Sequence, residues 1–306
     1  MTISGKPPVA VLIDNPNAGR LSDEERAGVV EALRGSFTID HVSTTARTTG
    51  ISIAKEVAAS GEDLVIAFGG DGHINEVANG LAGTDVAMGV IPGGTMNVFA
   101  RALGVPVDPY DAIRFLRDRT EAPSRRISLG MMDDRYFTFS AGCGFDAEAA
   151  ERVDLDVLAK RRFGELFFFW SAFRVLMSSY RYRNPTMTLK GDFGEERVAM
   201  AIASNTGPYA YLAGREVEIA PRVKLEGGLD VFALRKMRMH GLPVYAWRCL
   251  VSKDLIHDKD AFYASDLEAF EITGDAPFKR HVDGEPLDAA ISARFAIARD
   301  VLKVKA

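Results

Sequence analysis

The sequence predicts two domains: an α/β domain whose parallel sheet is flanked by helices, followed by a mainly antiparallel, β-sandwich domain. Two observations carry this expectation. Between residues 9 and 117, short apolar runs lacking polar alternation take turns with helical patterns, the rhythm of βαβ units around a buried sheet. After Pro123, strand-like runs follow one another with few helices between them, the pattern of an antiparallel β domain. The expected boundaries are 1–124 and 125–290, with a last strand over about 291–306 returning to the first domain.

In chain order, the first domain offers strands at Val9–Ile13, Phe37–Val42, Leu64–Phe68 and Val86–Ile91. Its helical patterns fall at Asp23–Leu33, Ile51–Ala59, Ile74–Leu81, Thr95–Leu103 and Tyr110–Arg117. The second domain offers strands at Arg126–Met131, Tyr136–Ala141, Thr186–Leu189, Val198–Ser204, Leu229–Leu234, Ala269–Thr273 and Phe278–Val282. Turn residues such as Asp133-Asp134 and Lys190-Gly191-Asp192 separate them, and helices are expected within 146–180 and 240–256.

The 306 residues, 47% hydrophobic and 26% charged, suffice for two cores. A net charge of −5 argues against a nucleic-acid binder, whose footprint is a basic face. The two cysteines, Cys143 and Cys249, have no paired spacing, so neither a disulfide framework nor a zinc site is indicated and a reducing cytoplasm fits. Cys143 has no base partner in view and reads as a small buried residue. The apolar run Val9–Ile13 is too short for a secretory signal. The most apolar stretch, Phe163–Phe173, falls well below the ~20 residues of a spanning helix.

Three glycine-bearing turns follow first-domain strands: Asn15-Pro16-Asn17-Ala18-Gly19-Arg20, Gly69-Gly70-Asp71-Gly72 and Gly93-Gly94-Thr95-Met96-Asn97. In a parallel sheet the loops after strand ends gather on one edge, where ligands bind. Glycine lets a backbone amide approach a phosphate, and a following helix offers free N–H groups and its positive dipole end. A carboxylate such as Asp71 beside phosphates makes sense if it manages Mg²⁺ or a bound water. One such turn is as readily a tight connection, but three at strand ends argue for a phosphate pocket. Neither the lysine-bearing G-x-x-x-x-G-K-[ST] loop nor an opening G-x-G-x-x-G is present, so a different phosphate-binding scheme is required.

Those turns, read as Asn15-Pro-Asn-Ala-Gly, Gly69-Gly-Asp-Gly-His-Ile-Asn-Glu-Val and Pro92-Gly-Gly-Thr-Met-Asn-Val-Phe-Ala-Arg-Ala-Leu-Gly, join Asp283-Gly-Glu-Pro in an ordered series. The series resembles the signature of the diacylglycerol kinase catalytic-domain family, which includes soluble bacterial lipid kinases and the sphingosine and ceramide kinases. The resemblance implies an NAD-kinase-like α/β domain binding ATP and a β-rich domain presenting lipid. It places Asn15, Gly69, Gly70, Asp71, Gly72, His73, Ile74, Gly94, Thr95 and Asn97 on the nucleotide side, with Thr45 as the match for a threonine before Gly50. It makes Glu285 the catalytic base and Asp71 its metal-side partner. It also puts a structural Mg²⁺ at Glu226 with the carbonyls of Val223 and Gly228, and a lipid contact at Asp146. Phosphoryl transfer needs these parts: charge neutralisation, alignment, and a carboxylate to take the acceptor's proton.

Two residues depart from the pattern. His73 stands where threonine is usual, exchanging a hydroxyl for an imidazole that could donate instead. Val98 stands where many bacterial diacylglycerol kinases carry aspartate, although apolar residues also occur among sphingoid-base kinases. Asp146 is equally readable as a helix N-cap. Arg161-Arg162, Phe163, Phe167–Trp170, Arg174, Arg181 and Arg183 form a basic-aromatic mix suited to an anionic interface, or a domain core.

The expected activity is transfer of the ATP γ-phosphate to a lipid hydroxyl, first diacylglycerol. Sphingoid-base or ceramide kinase, an NAD kinase-like enzyme and a non-catalytic nucleotide-binding regulator are the alternatives. The expected partner is a lipid at a membrane surface, met peripherally from the cytoplasm, without nucleic acid; a homodimer is left open.

Overall fold

The computed structural model describes residues 7–16, 21–46, 48–144, 147–148, 185–212, 215–236, 245 and 247–306. The chain divides into two compact units, residues 1–127 with 300–306 and residues 128–299.

In the first unit, β1 (Val9–Asp14), β2 (Thr38–Ser43), β3 (Leu64–Gly69) and β4 (Ala87–Pro92) form a parallel sheet in the order β4-β3-β1-β2. The chain's last strand adds to its edge, Lys303 and Val304 pairing parallel with Ala87 and Met88. All six residues of β3 and of β4 are buried, so these strands are covered on both faces, and this is why their sequences show no polar alternation. The cover comes from two helix pairs: α2 (Thr49–Ala59) packs on α3 (Asp71–Leu81), and α1 (Asp23–Arg34) on α5 (Pro109–Arg117). Helix α1 starts with a capping box between Ser22 and Glu25, and α5 with Asp108 before Pro109. The run 95–103 keeps only α4 (Val98–Ala102) as helix, because Asn97 before it is left-handed, with φ 49°.

The second unit is antiparallel. Strands β5 (Arg125–Met132), β6 (Arg135–Phe137), β7 (Ser140–Gly144), β8 (Met187–Gly191), β9 (Gly194–Val198), β10 (Met200–Ser204), β13 (Leu229–Leu234), β14 (Ala261–Leu267), β15 (Ala269–Val282) and β16 (Glu285–Val304) build its sheet, with β11 (Ala210–Leu212) and β12 (Arg215–Val217) forming a separate ribbon. Strand β15 changes partner along its length, pairing with β8 at Glu271–Gly274 and with β7 at Arg280–Val282, with register shifts between Thr273 and Arg280. Its apolar face, including Phe270, Ile272, Phe278 and Val282, joins Met132, Phe137, Leu189, Val231 and Phe295 in one core. Cys143 is fully buried there.

Several strand expectations change in detail. Tyr136–Ala141 is two strands rather than one, because the Asp283 carboxylate takes the N–H groups of Thr138, Phe139 and Ser140 and interrupts the ladder. Val198–Ser204 likewise splits at Ala199. Ala269–Thr273 and Phe278–Val282 are one long irregular strand. Of the expected helix at 240–256, Tyr245 and Trp247 are α-helical, and the described chain continues as a π-helical turn at Arg248–Ser252 and a 3₁₀ turn at Leu255–His257.

Candidate functional site

The glycine-bearing strand ends of the first unit come together at backbone level. Gly93 N–H donates to the Gly69 carbonyl at 2.8 Å, and Asn15 N–H to the Phe68 carbonyl at 3.4 Å. A Cβ on Gly94 would stand 2.7 Å from the Gly70 Cα, so the two loops touch through atoms that only glycine leaves bare. Asn97 clamps the second loop: its Oδ1 accepts from Gly94 N–H at 2.9 Å and its Nδ2 donates to the Gly94 carbonyl at 2.8 Å. Helix α3 begins at extended Gly70 with no side-chain cap. Its first N–H groups lack intrahelical partners, as at any helix start, and this is the donor set a phosphate uses.

Helix α3 is the frame of this region. At roughly 100° per residue, Asp71, His73 and Glu76 leave it in different directions. Asp71 Oδ1 accepts from Phe99 N–H at 3.2 Å and so caps α4, whose own Asn97 makes no side-chain cap bond. Glu76 reaches the start of α2, accepting from Thr48 N–H at 2.7 Å and Gly50 N–H at 3.0 Å. His73 is buried under Gly69, and its Nε2 donates to the Ile13 carbonyl of β1 at 3.0 Å. A carbonyl can only accept, which fixes the Nε2–H tautomer, and Nδ1 has no partner. Burial holds the imidazole below its ordinary pKa of 6.5, outweighing the Ile13 hydrogen bond and the fields of Glu76 and Asp14 that favour its protonation.

The unusual His73 is therefore a tie between strand and helix, its side chain turned to the interior. Ile74 is fully buried as well. Val98 is fully buried too, packed inside the unit at the head of α4. Thr45 and Thr95 are exposed, Asn15, Gly70, Asp71, Gly72 and Gly94 half-buried, and Gly69 and Asn97 buried. Asn17 to Arg20, Asp146 and the basic-aromatic stretch 161–183 lie outside the described residues.

In the second unit, Asp283 and Gly284 have φ of 48° and 80°, and Val282 pairs with Glu285 across them. Two successive positive φ values make a two-residue hairpin turn of the primed type, for which Asp-Gly is a preferred pair. Glu285 is thus the first residue of a strand rather than part of the turn. The Asp283 side chain is buried and accepts four bonds: Thr138 N–H and Oγ1–H at 2.7 Å each, Phe139 N–H and Ser140 N–H at 3.0 Å each. Burial pushes its carboxyl pKa up, and those four donors pull against it. The half-buried Glu285 carboxylate next to this anchor lies 3.8 Å from an Arg135 Nη2.

Basic side chains surround the third predicted constellation. Around Val223, Glu226 and Gly228 the carbonyls of Glu226 and Gly227 accept from Arg299 Nη1 at 3.5 and 3.2 Å, and Gly228 N–H donates to Asp266 Oδ1 at 2.8 Å. Arg222 and Lys224 line the same cavity. Among the described residues no three His, Cys, Asp or Glu side chains converge as ligands. The Arg299 guanidinium takes the Glu226 and Gly227 carbonyls, which neighbour the Val223 and Gly228 carbonyls of the expected set. Beside it, Asp230 is buried under Tyr263, which donates to it; burial raises both groups' pKa values.

The sequence model of the diacylglycerol kinase catalytic domain matches residues 9–131. The chain is 32% identical over 236 residues to the diacylglycerol kinase of Bacillus subtilis, covering 75% of each chain. It is 32% identical over 185 residues to a protein of Chromohalobacter salexigens named "Probable lipid kinase YegS-like", where the match spans 59% of this chain and 56% of the relative. The fold matches a diacylglycerol kinase structure from Bacillus anthracis with a TM-score of 0.73 at 23% identity, over 97% of this chain and 96% of that one. It matches an Archaeoglobus fulgidus NAD kinase in complex with ATP with a TM-score of 0.56 at 12% identity, over 97% and 94%. Fold and motifs together define a kinase architecture, an NAD-kinase-like α/β unit joined to a strand-rich antiparallel one. More narrowly, the chain belongs to the diacylglycerol kinase catalytic-domain family. No helix among the described residues is long and apolar enough to cross a membrane.

Proposed function

We propose that the protein is an ATP-dependent lipid kinase that transfers the γ-phosphate of ATP, as its Mg²⁺ complex, to a lipid hydroxyl, with diacylglycerol the first candidate acceptor and phosphatidic acid its product. The observation that carries the reading is the glycine cluster. Gly70 and Gly94 meet backbone to backbone at the uncapped start of α3, and the flanking loops are fastened by α3's own side chains. Such a cradle suits a polyphosphate, because it offers amide donors and no side-chain bulk. Asn15, Thr45, Thr95 and Asn97 would complete the nucleotide contacts, and Asp71 would serve the metal-bound phosphates. Mg²⁺ would enter with the nucleotide.

Glu285 is the base in this reading. The acceptor oxygen forms a bond to the γ-phosphorus, the bond from that phosphorus to the β–γ bridging oxygen breaks, ADP leaves, and the hydroxyl proton passes to the Glu285 carboxylate. Asp283 holds the turn beside that carboxylate through four hydrogen bonds, and a positioned base of this kind contributes when its geometry is fixed.

The test is incubation of the purified protein with ATP, Mg²⁺ and mixed micelles of diacylglycerol, sphingosine or ceramide, with NAD as a soluble acceptor. Lipid phosphorylation is expected, with Glu285→Gln and Asp71→Asn each lowering kcat by roughly 10²-fold or more. ATP binding without phosphorylation of any lipid would abolish the reading, and phosphorylation of NAD would replace it.

A further inference from the structure

Glu76 stands outside the nucleotide set assigned above, yet its carboxylate ties the glycine-loop helix to another element of the first unit through two hydrogen bonds. Its side chain is buried inside the unit. Oε1 accepts from Thr48 N–H at 2.7 Å and Oε2 from Gly50 N–H at 3.0 Å, 28 and 26 residues away in sequence. Those donors belong to the first turn of α2, which has no intrahelical acceptor for them. Thr48, the N-cap residue, is left-handed at φ 64° and makes no side-chain cap bond. Helix α2 is capped from α3.

The approach needs glycine. A Cβ on Gly50 would come within 2.6 Å of Glu76 Oε2, and one on Gly80 within 2.5 Å of the Ala54 Cβ. The other end of the segment is also fastened, Thr44 donating through N–H at 2.8 Å and Oγ1 at 3.2 Å to the Asp14 carbonyl at the end of β1. Thr45 therefore lies on a short span held at the start by β1 and at the finish by Glu76.

We propose that Glu76 is a positioning residue for the nucleotide: it fixes the 44–50 segment, with Thr45, relative to the glycine loop that opens its own helix. The inference rests on the ATP reading and deepens it. Because α3 carries the phosphate-facing turn at one end and the α2 cap one turn later, one rigid element sets both loops. Removing the carboxylate frees one loop from the other without touching any group assigned to ATP.

The experiment is steady-state kinetics against ATP concentration, with the lipid that the wild type phosphorylates, alongside the ATP-induced shift in Tm and far-UV circular dichroism. Glu76→Ala is expected to raise KM for ATP by about ten-fold or more, the scale of a lost cap and two lost donors' partner, with kcat changed by less than about three-fold. Glu76→Gln is expected between the two, since its amide oxygen can accept from one N–H while its NH₂ opposes the other. Gly50→Ala is expected to reproduce the effect with the carboxylate intact. A folded Glu76→Ala protein with lower Tm but unchanged KM and an undiminished ATP-induced shift overturns the proposal. If Glu76→Ala does not fold, unchanged KM in both Glu76→Gln and Gly50→Ala does the same. A wild type that neither binds ATP nor phosphorylates lipid sinks the ATP reading and this inference with it; variants that match an ATP-responsive wild type sink this inference alone.

Discussion

The α3 region of the first unit and the Asp283 turn of the second solve one problem in opposite ways. Each must hold a backbone segment that local sequence leaves undecided, and each uses polar side chains from outside that segment. Helix α3 spreads the restraint over three side chains, in which Asp71 holds α4, His73 holds β1 and Glu76 holds α2, with one or two bonds apiece. The hairpin concentrates it, with one carboxylate accepting four bonds from three consecutive residues. The distributed arrangement tolerates loss of one member by degrees, whereas the concentrated one fails as a whole.

The largest effect expected on stability follows directly. Asp283→Ala leaves three buried N–H groups and a hydroxyl without their acceptor, and breaking a buried hydrogen-bonded network of this size costs on the order of 3–5 kcal/mol. Urea unfolding should show a lower midpoint with an unchanged slope, and activity should vanish even where the protein remains folded, because the Glu285 backbone loses its anchor. A destabilisation below about 1 kcal/mol would mean that the turn chemistry alone fixes the hairpin.

The glycine contact comes next. In Gly94→Ala the new methyl would meet the Gly70 Cα at 2.7 Å, with backbone on the receiving side, so the loops must separate. Overpacking of this kind costs about 1–3 kcal/mol. ATP affinity, read by the thermal shift that ATP produces, should fall more steeply than stability. Equal losses in both would argue that the cradle is a packing contact and no more.

What the sequence made legible and what it hid divide along the same line. Apolar runs announced β3 and β4 because both faces of those strands are buried, and the glycine turns announced themselves because glycine is required where Gly70 meets Gly94. The Asp283-Gly284 dipeptide carried the turn, but the four donors to Asp283 come from about 145 residues away, and no local pattern encodes them. Thr48 is equally silent: as an N-cap without a cap bond it contradicts the local rule, and only the fold supplies Glu76. The Arg299 contact with the Glu226 carbonyl is hidden for the same reason, since Arg299 arrives from 73 residues downstream. Tertiary contacts between distant polar groups were the unreadable part.

His73 gives the smallest and most specific effect. Its ring is neutral because the Nε2–H donates to the Ile13 carbonyl and burial disfavours the charged form, so the folded protein takes its proton at lower pH than the unfolded chain does. Between the ordinary value of 6.5 and that lower one, the unfolded state binds more protons, and stability must fall as pH falls. Above 6.5 neither state is charged and the contribution is flat. His73→Thr removes the titrating group, and it also removes a bond to a β1 carbonyl worth about 1 kcal/mol. The variant should therefore be slightly less stable at about pH 8, and the gap should narrow or reverse on descending from about pH 6.5 to about pH 5. Urea midpoints at those three values measure this. A gap that stays constant across the three would show that the ring either takes its proton equally in both states or never needed to stay neutral, and the strand-to-helix tie would then be the whole of its role.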